Sequence, residues 1–182
     1  ISHIETAINN VYSSFKMKIG PGYAEAALLA VRRRFPDITL SVDTNGAYSR
    51  NQMRELGHLV AGNVSFIEEP FAGNDLMACR QLREEFGVKV CLDESVRTLC
   101  ELEAAVALGA CDVLNIKKPR VGGIVNASAM LSYSLENGVS PWVGGMLEFG
   151  VGTALNLAFA LQEGISLGCD LTPIDALYGT DI

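Results

Sequence analysis

Five residues of this 182-residue chain stand out by type and spacing: Lys18, Asp43, Glu68, Asp93 and Lys117. Successive members lie 25, 25, 25 and 24 residues apart. Three carboxylates brought within a few ångströms of each other repel strongly unless a cation neutralises them. Oxygen donors without Cys or His suit a hard divalent ion, Mg²⁺ first and Mn²⁺ as the alternative. Asp43, Glu68 and Asp93 are therefore the candidate metal ligands, with room left for a substrate oxygen. The two lysines flank them. Burial and a neighbouring cation lower the pKa of an amine and make it available as a base. A metal that holds a carboxylate stabilises the enediolate formed when the α-proton leaves. Any one Asp or Glu after a strand is as readily a helix cap or a surface group. The shared interval is what points to a common rim.

An interval of 25 residues is an ordinary strand-plus-helix unit. Strand runs are expected at 15–19, 39–42, 64–67, 88–92, 112–116 and 139–143, with a seventh near 165–168. They are short and rich in Val, Ile and Phe, as buried parallel strands are. Helix patterns fall between them, at 23–35, 50–61, 76–86, 99–108, 124–137 and 151–163. Ser49, Asp75 and Thr98 stand where N-caps belong, and Glu101 completes a capping box with Thr98. Gly62, Gly87, Gly109, Gly138 and Gly164 stand at or near helix ends. This alternation predicts a parallel α/β fold. No GxGxxG or GxxxxGK[ST] follows the first strand, so the common nucleotide-binding versions lose support. In a barrel, strand C-termini carry the active site. Six or seven strands are few for a closed (β/α)8 barrel, which needs eight and about 250 residues.

Composition narrows the partners. Fourteen Lys and Arg against 21 Asp and Glu give a net charge of −7, and the sequence pI is about 4.8. That sign argues against nucleic acid. Charged residues make up 19% and hydrophobic residues 49%, with a mean hydropathy of +0.24, which excludes a disordered chain. No apolar run reaches the ~18 residues of a membrane span. Cys79, Cys91, Cys100, Cys111 and Cys169 have no CxxC spacing and read as reduced, mostly buried thiols in a cytoplasmic protein. Ile1 opens a polar helix-like stretch, unlike a signal peptide, and the missing initiator Met suggests a natural N-terminus further upstream. His3 and His58 fall in helix patterns, where surface or packing roles are expected, and Trp142 reads as core.

Several short motifs occur in order along the chain: Lys16-Met17-Lys18, Asp43-Thr44-Asn45, Ile67-Glu68-Glu69-Pro70, Leu92-Asp93-Glu94-Ser95 and Asn115-Ile116-Lys117. They resemble the enolase superfamily, in its muconate-lactonizing-enzyme-like subgroup. Arg120-Val121-Gly122-Gly123, Gly144-Gly145-Met146-Leu147-Glu148 and the ending Tyr178-Gly179-Thr180-Asp181-Ile182 are similar to the o-succinylbenzoate synthase/N-acylamino acid racemase family. The resemblance implies a TIM-like (β/α) barrel domain, incomplete at both ends. An N-terminal capping domain and the first barrel strand would lie outside residues 1–182. Where family members often read Lys-Pro-Gly after Asn-Ile, this chain reads Lys117-Lys118-Pro119, and residues 149–154 are also similar to muconate cycloisomerases.

Roles follow from the resemblance. Lys18 would be the base on one face of the substrate and Lys117 the cation or second acid/base on the other. Asp43, Glu68 and Asp93 would ligate Mg²⁺. Lys16 shares the inward face with Lys18 by the two-residue strand period and would support the carboxylates. Asn45 and Asn115 would donate to substrate or ligands, or else serve as turn and core amides. Gly144, Gly145 and Met146 would form a backbone rim by the substrate's side chain. Glu94 is expected to point away from the ligands. The implied reaction is Mg²⁺-dependent removal of a proton α to a carboxylate, with o-succinylbenzoate synthesis for menaquinone as the leading reading. N-acylamino acid racemisation, muconate cycloisomerisation and dipeptide epimerisation are the alternatives, and a non-catalytic binding barrel is the alternative from another class. The implied partners are a small carboxylate and other copies of the full-length chain, with no membrane.

Overall fold

The computed structural model describes residues 1–9 and 12–172. The ending at 178–182 lies outside the described residues. The chain forms two compact units, Ile1–Val90 and Cys91–Ile182.

In the first unit β1 (Ser14–Lys18), β2 (Thr39–Asp43) and β3 (Ile67–Glu68) pair in parallel and in chain order. The register advances by one constant offset: Lys18 lies level with Asp43, and Asp43 with Glu68. Strand period then puts Lys16, Lys18, Ser41, Asp43 and Glu68 on one face, while Leu40, Val42 and Ile67 occupy the other. The expected run 64–67 enters the ladder only at its end, and Ile67 N–H also bonds Lys89 O at 2.9 Å.

Helices α1 (Ser2–Asn9), α2 (Ala24–Arg34), α3 (Met53–Val60) and α4 (Leu76–Phe86) complete this unit. α3 buries Met53, Leu56, Gly57 and Val60, a stripe at helical spacing. A Cβ on Gly57 would come within 2.5 Å of the Phe86 ring, so α3 and α4 meet there without side-chain thickness. His58 packs edge-on against the same ring, with centroids 5.1 Å apart. Asp75 caps α4 as expected, accepting from Ala78 N–H at 3.0 Å.

The second unit carries β5 (Val113–Ile116), β6 (Ser140–Gly144) and β7 (Cys169–Asp170) beside β4 (Val90–Leu92), whose first residue belongs to the first unit. Pairing again follows chain order and is parallel, so neither unit contains the order reversal of a doubly wound sheet. Here the register is uneven. Cys91 pairs with Val113, an offset of 22 residues. Carried one residue further, this sets Asp93 level with Asn115, and Lys117 stands two residues beyond. The equal height expected for Asp93 and Lys117 is thus corrected: the β4–β5 crossover is shorter than the others.

The seventh strand is also shifted. Residues 165–168 make no ladder, because a tight turn with Gln162 N–H on Phe159 O ends the preceding helix and pairing resumes only where Val143 meets Cys169. Helices α5 (Leu99–Ala107), α6 (Ile124–Glu136) and α7 (Gly150–Ala160) alternate with these strands. The Thr98–Glu101 capping box opens α5, with Thr98 N–H on Glu101 Oε2 at 2.9 Å. All five helix-end glycines named above adopt positive φ. Cys79, Cys91 and Cys111 are buried thiols, Cys100 and Cys169 are exposed, and Trp142 is core. Among the described residues no helix is long and apolar enough to cross a membrane.

Candidate active site

In the first unit the parallel register delivers four charged groups to one strand-end rim. Asp43 and Glu68 are almost fully buried. Lys16 Nζ stands 3.3 Å from Asp43 Oδ2 and 3.3 Å from Glu68 Oε2, so one ammonium spans two carboxylates. Lys18 Nζ reaches Asp43 Oδ2 and Asn45 Oδ1, each at 2.5 Å. Asn45 adds its backbone N–H to Asp43 Oδ1 at 2.9 Å. Burial alone raises the Asp43 carboxyl. The Lys18 and Asn45 hydrogen bonds and the charges of Lys16 and Lys18 outweigh it and hold the group below its usual range.

The backbone around this rim is unusual. Asn45 and Glu69 have φ of 46° and 40°, in the left-handed region that such residues seldom adopt. Thr44 Oγ1 donates to Glu69 O at 2.5 Å and Gly46 N–H bonds Glu69 O at 2.7 Å, which ties the two turns together.

In the second unit the carboxylate is Asp93, fully buried. Lys117 Nζ donates to its Oδ2 at 2.7 Å, and the Arg120 guanidinium sits against its Oδ1. Arg120 also lies 3.7 Å from Glu94 Oε1, so one guanidinium faces both neighbouring carboxylates. The turn after β5 makes this possible: Arg120 N–H and Val121 N–H both bond Lys117 O, at 2.9 and 3.1 Å, folding the loop back. Sequence reasoning names Arg120 only within a motif and misses this contact. The available signal was a cation three residues beyond the lysine.

Asn115 and Lys117 share a face, and Gly144 of β6 lies beside them. A Cβ on Gly144 would fall 2.4 Å from Asn115 Oδ1 and 2.7 Å from Lys117 Cε, so only glycine leaves room for both side chains. Gly145 N–H bonds Asp170 O of β7 at 2.9 Å, and Met146 is exposed beyond it.

The site residues named from sequence thus form two groups. Lys16, Lys18, Asp43, Asn45 and Glu68 meet in the first unit. Asp93 and Lys117 meet in the second, with Asn115 and Gly144 beside the lysine. Among the described residues no three His, Cys, Asp or Glu side chains cluster to hold a metal ion. Each named carboxylate instead faces an ammonium or guanidinium. The donor chemistry of the first unit fits a hard divalent ion: Asp43 and Glu68 are carboxylates that direct oxygens at one shared cation.

Comparison with known proteins sets these groups in a context. Residues 2–175 match the family described as enolase C-terminal domain-like. The chain is 38% identical over 182 residues to an o-succinylbenzoate synthase of Enterococcus faecalis, covering 100% of this chain and 50% of that protein. It is 35% identical over 179 residues to an N-succinylamino acid racemase of Thermus thermophilus, covering 98% and 48%. A crystal structure of an enolase-superfamily member from Enterococcus faecalis matches with a TM-score of 0.94 at 38% identity, over 100% of this chain and 49% of that one. The chain spans about half the length of the curated relatives it matches.

Proposed function

Because the chain belongs to the enolase C-terminal domain-like family and carries its (β/α)-barrel fold, we propose that the whole protein removes a proton α to a carboxylate, as an o-succinylbenzoate synthase. The observation that carries this reading is the repeated pairing of a lysine ammonium with a buried carboxylate: Lys18 on Asp43 and Lys117 on Asp93. Asp43, Glu68 and Asp93 would hold Mg²⁺, which when bound supplies positive charge to a substrate carboxylate.

The neutral amine of Lys18, formed when its ammonium gives a proton to solvent, takes the α-proton. Its side chain is 60% exposed, so the amine can leave Asp43 for a substrate carbon. The electron pair of the broken C–H bond moves into the substrate carboxylate as an enediolate. The β-hydroxyl then departs as water with the proton that Lys18 collected, and the cyclohexadiene ring becomes aromatic. Lys117 is 10% exposed and stays on Asp93, which suits a fixed cation beside developing negative charge. The resemblance assigns the two lysines to opposite faces of the substrate. Five cysteines without CxxC spacing support a reducing, cytoplasmic setting.

The similarity to the Thermus thermophilus racemase favours a second reading, in which Lys117 returns a proton to the other face. Both readings are tested on the whole protein with Mg²⁺. Conversion of the cyclohexadiene carboxylate to the aromatic product is expected, and α-proton exchange of N-succinylamino acids in D₂O reports racemase capacity. Neither product nor exchange at saturating Mg²⁺ would overturn proton abstraction and leave a binding barrel.

A further inference from the structure

Lys118 follows Lys117 and takes no part in the Asp93 group. Lys118 lies in the turn after β5, and its side chain runs to α7. It is buried at 6% exposure, its Nζ donates to Asn156 Oδ1, and it lies 5.2 Å from the centroid of the Phe159 ring. Asn156 is 1% exposed. Its Nδ2 and Glu148 Oε1 are both buried without a hydrogen-bond partner among the described residues. Glu148 lies against the first turn of α7, where Thr153 Oγ1 donates to its carbonyl oxygen at 3.3 Å, and Asn156 stands about one turn further along the same helix. Burial raises the Glu148 carboxyl, but the Met146 N–H, the Asn156 amide and the Lys118 charge hold it below its usual range.

Glu148 in turn organises the loop before α7. Its Oε2 accepts Met146 N–H at 2.8 Å. A Cβ on Gly145 would stand 3.1 Å from that same oxygen, and one on Gly152 would stand 2.6 Å from Glu148 Cβ. The loop between them contains Leu147 at φ 64°, a conformation that a branched side chain keeps only when its surroundings impose it. The Lys118–Asn156 hydrogen bond thus ties the turn after β5 to α7, and the Thr153–Glu148 and Met146–Glu148 hydrogen bonds tie the start of α7 to the loop after β6.

We infer that Lys118 is a positioning residue: acting through Asn156 and Glu148, it holds residues 144–147 in place as the rim beside Lys117, and it transfers no proton. The clamp stands on geometry within the second unit; its effect on turnover rests on the reading proposed above. The departure from Lys-Pro-Gly at this point then has a function, since a proline at 118 could not make the contact.

The test uses the whole protein with Lys118→Met, Lys118→Arg and Glu148→Gln. Chymotryptic cleavage of the folded protein, with cut sites mapped by mass spectrometry, reads the loop at the exposed Met146, Leu147 and Phe149. Lys118→Met is expected to raise cleavage there about tenfold, Glu148→Gln to open the same sites, and Lys118→Arg to restore protection. With substrate, Lys118→Met should raise KM about tenfold and leave the pH profile of kcat in place. Unchanged cleavage in Lys118→Met would overturn the clamp. A displaced kcat pH profile would overturn the claim that Lys118 transfers no proton. Should Lys118→Met not fold, Lys118→Arg and Glu148→Gln decide alone: protection in the first with exposure in the second supports the clamp, and equal cleavage overturns it. If the unaltered protein shows no turnover or exchange, the proposed function fails while cleavage still decides the clamp.

Discussion

The two units build lysine–carboxylate groups from the same elements but embed them differently. In the first, β1, β2 and β3 advance by one constant offset, and Lys18, Asp43 and Glu68 stand level. Two lysines serve two carboxylates there, and the lysine closest to Asp43 is the more exposed of the pair. In the second, the β4–β5 register is shorter and one carboxylate takes two cations. Lys117 still reaches Asp93 because a shift of two residues keeps it on the same face and its side chain is long. The difference separates an exposed lysine, open to a substrate proton, from a buried one held beside Asp93, suited to stabilising charge.

Removing the lysines should give the largest effect. Lys18→Ala is expected to lower α-proton abstraction about 10³-fold, within the usual range for a positioned base. Lys117→Ala should cripple synthase turnover as well, by loss of charge stabilisation worth about 3 kcal/mol. In a racemase, by contrast, each single mutant keeps exchange for one enantiomer. Deuterium incorporation into each enantiomer, followed by NMR, separates the two, and full activity in either mutant removes that lysine from the mechanism.

Stability should divide the units in the same direction. Arg120→Met leaves the buried Asp93 with a single cation and is expected to cost about 3 kcal/mol. Lys18→Met removes an exposed partner and should cost about 1 kcal/mol or less. Urea denaturation of both variants checks the ordering, and equal losses would erase the distinction between buried and exposed cations.

Gly144→Ala sharpens the packing side of the comparison. The new methyl would collide with Asn115 and Lys117, and a displaced Lys117 should reduce turnover about 10²-fold. Circular dichroism should show the fold retained, since both colliding groups are side chains.

A comparably small effect concerns a cap in the first unit. Burial opposes ionisation of Asp75, but the Arg50 hydrogen bond, the largest influence, together with the Ala78 N–H and the Arg50 charge, holds its carboxyl below the usual range. Its contribution is therefore present above the unfolded pKa of about 3.9 and is lost as the pH falls through the lower folded value. Asp75→Ala should cost about 1 kcal/mol at pH 7, and the gap from the unaltered protein should close in acid. A gap independent of pH would show that the carboxylate charge has no part in the cap.

Much of this was legible from residue order. The strand and helix runs, the caps at Asp75 and Thr98, and the level row of Lys18, Asp43 and Glu68 depend on local periodicity or on equal βα lengths. Sequence carries such information directly. The seventh strand was placed four residues early because an apolar run does not reveal which part of it finds a partner. Arg120 stands out in sequence only within a motif and Lys118 only as a departure from one, since nothing in their spacing says that a turn folds one cation onto Asp93 and sends the other to α7.

Sequence by itself therefore determined the residue types of the two groups, the parallel alternation and the interval that brings the first group into line. Tertiary structure alone decided the shorter β4–β5 register, the double pairing of Asp93 and the Lys118–Asn156–Glu148 connection. The physical reason is reach: a strand fixes the face on which a side chain emerges, whereas its partner depends on packed elements tens of residues away, such as Asn156 of α7 for Lys118.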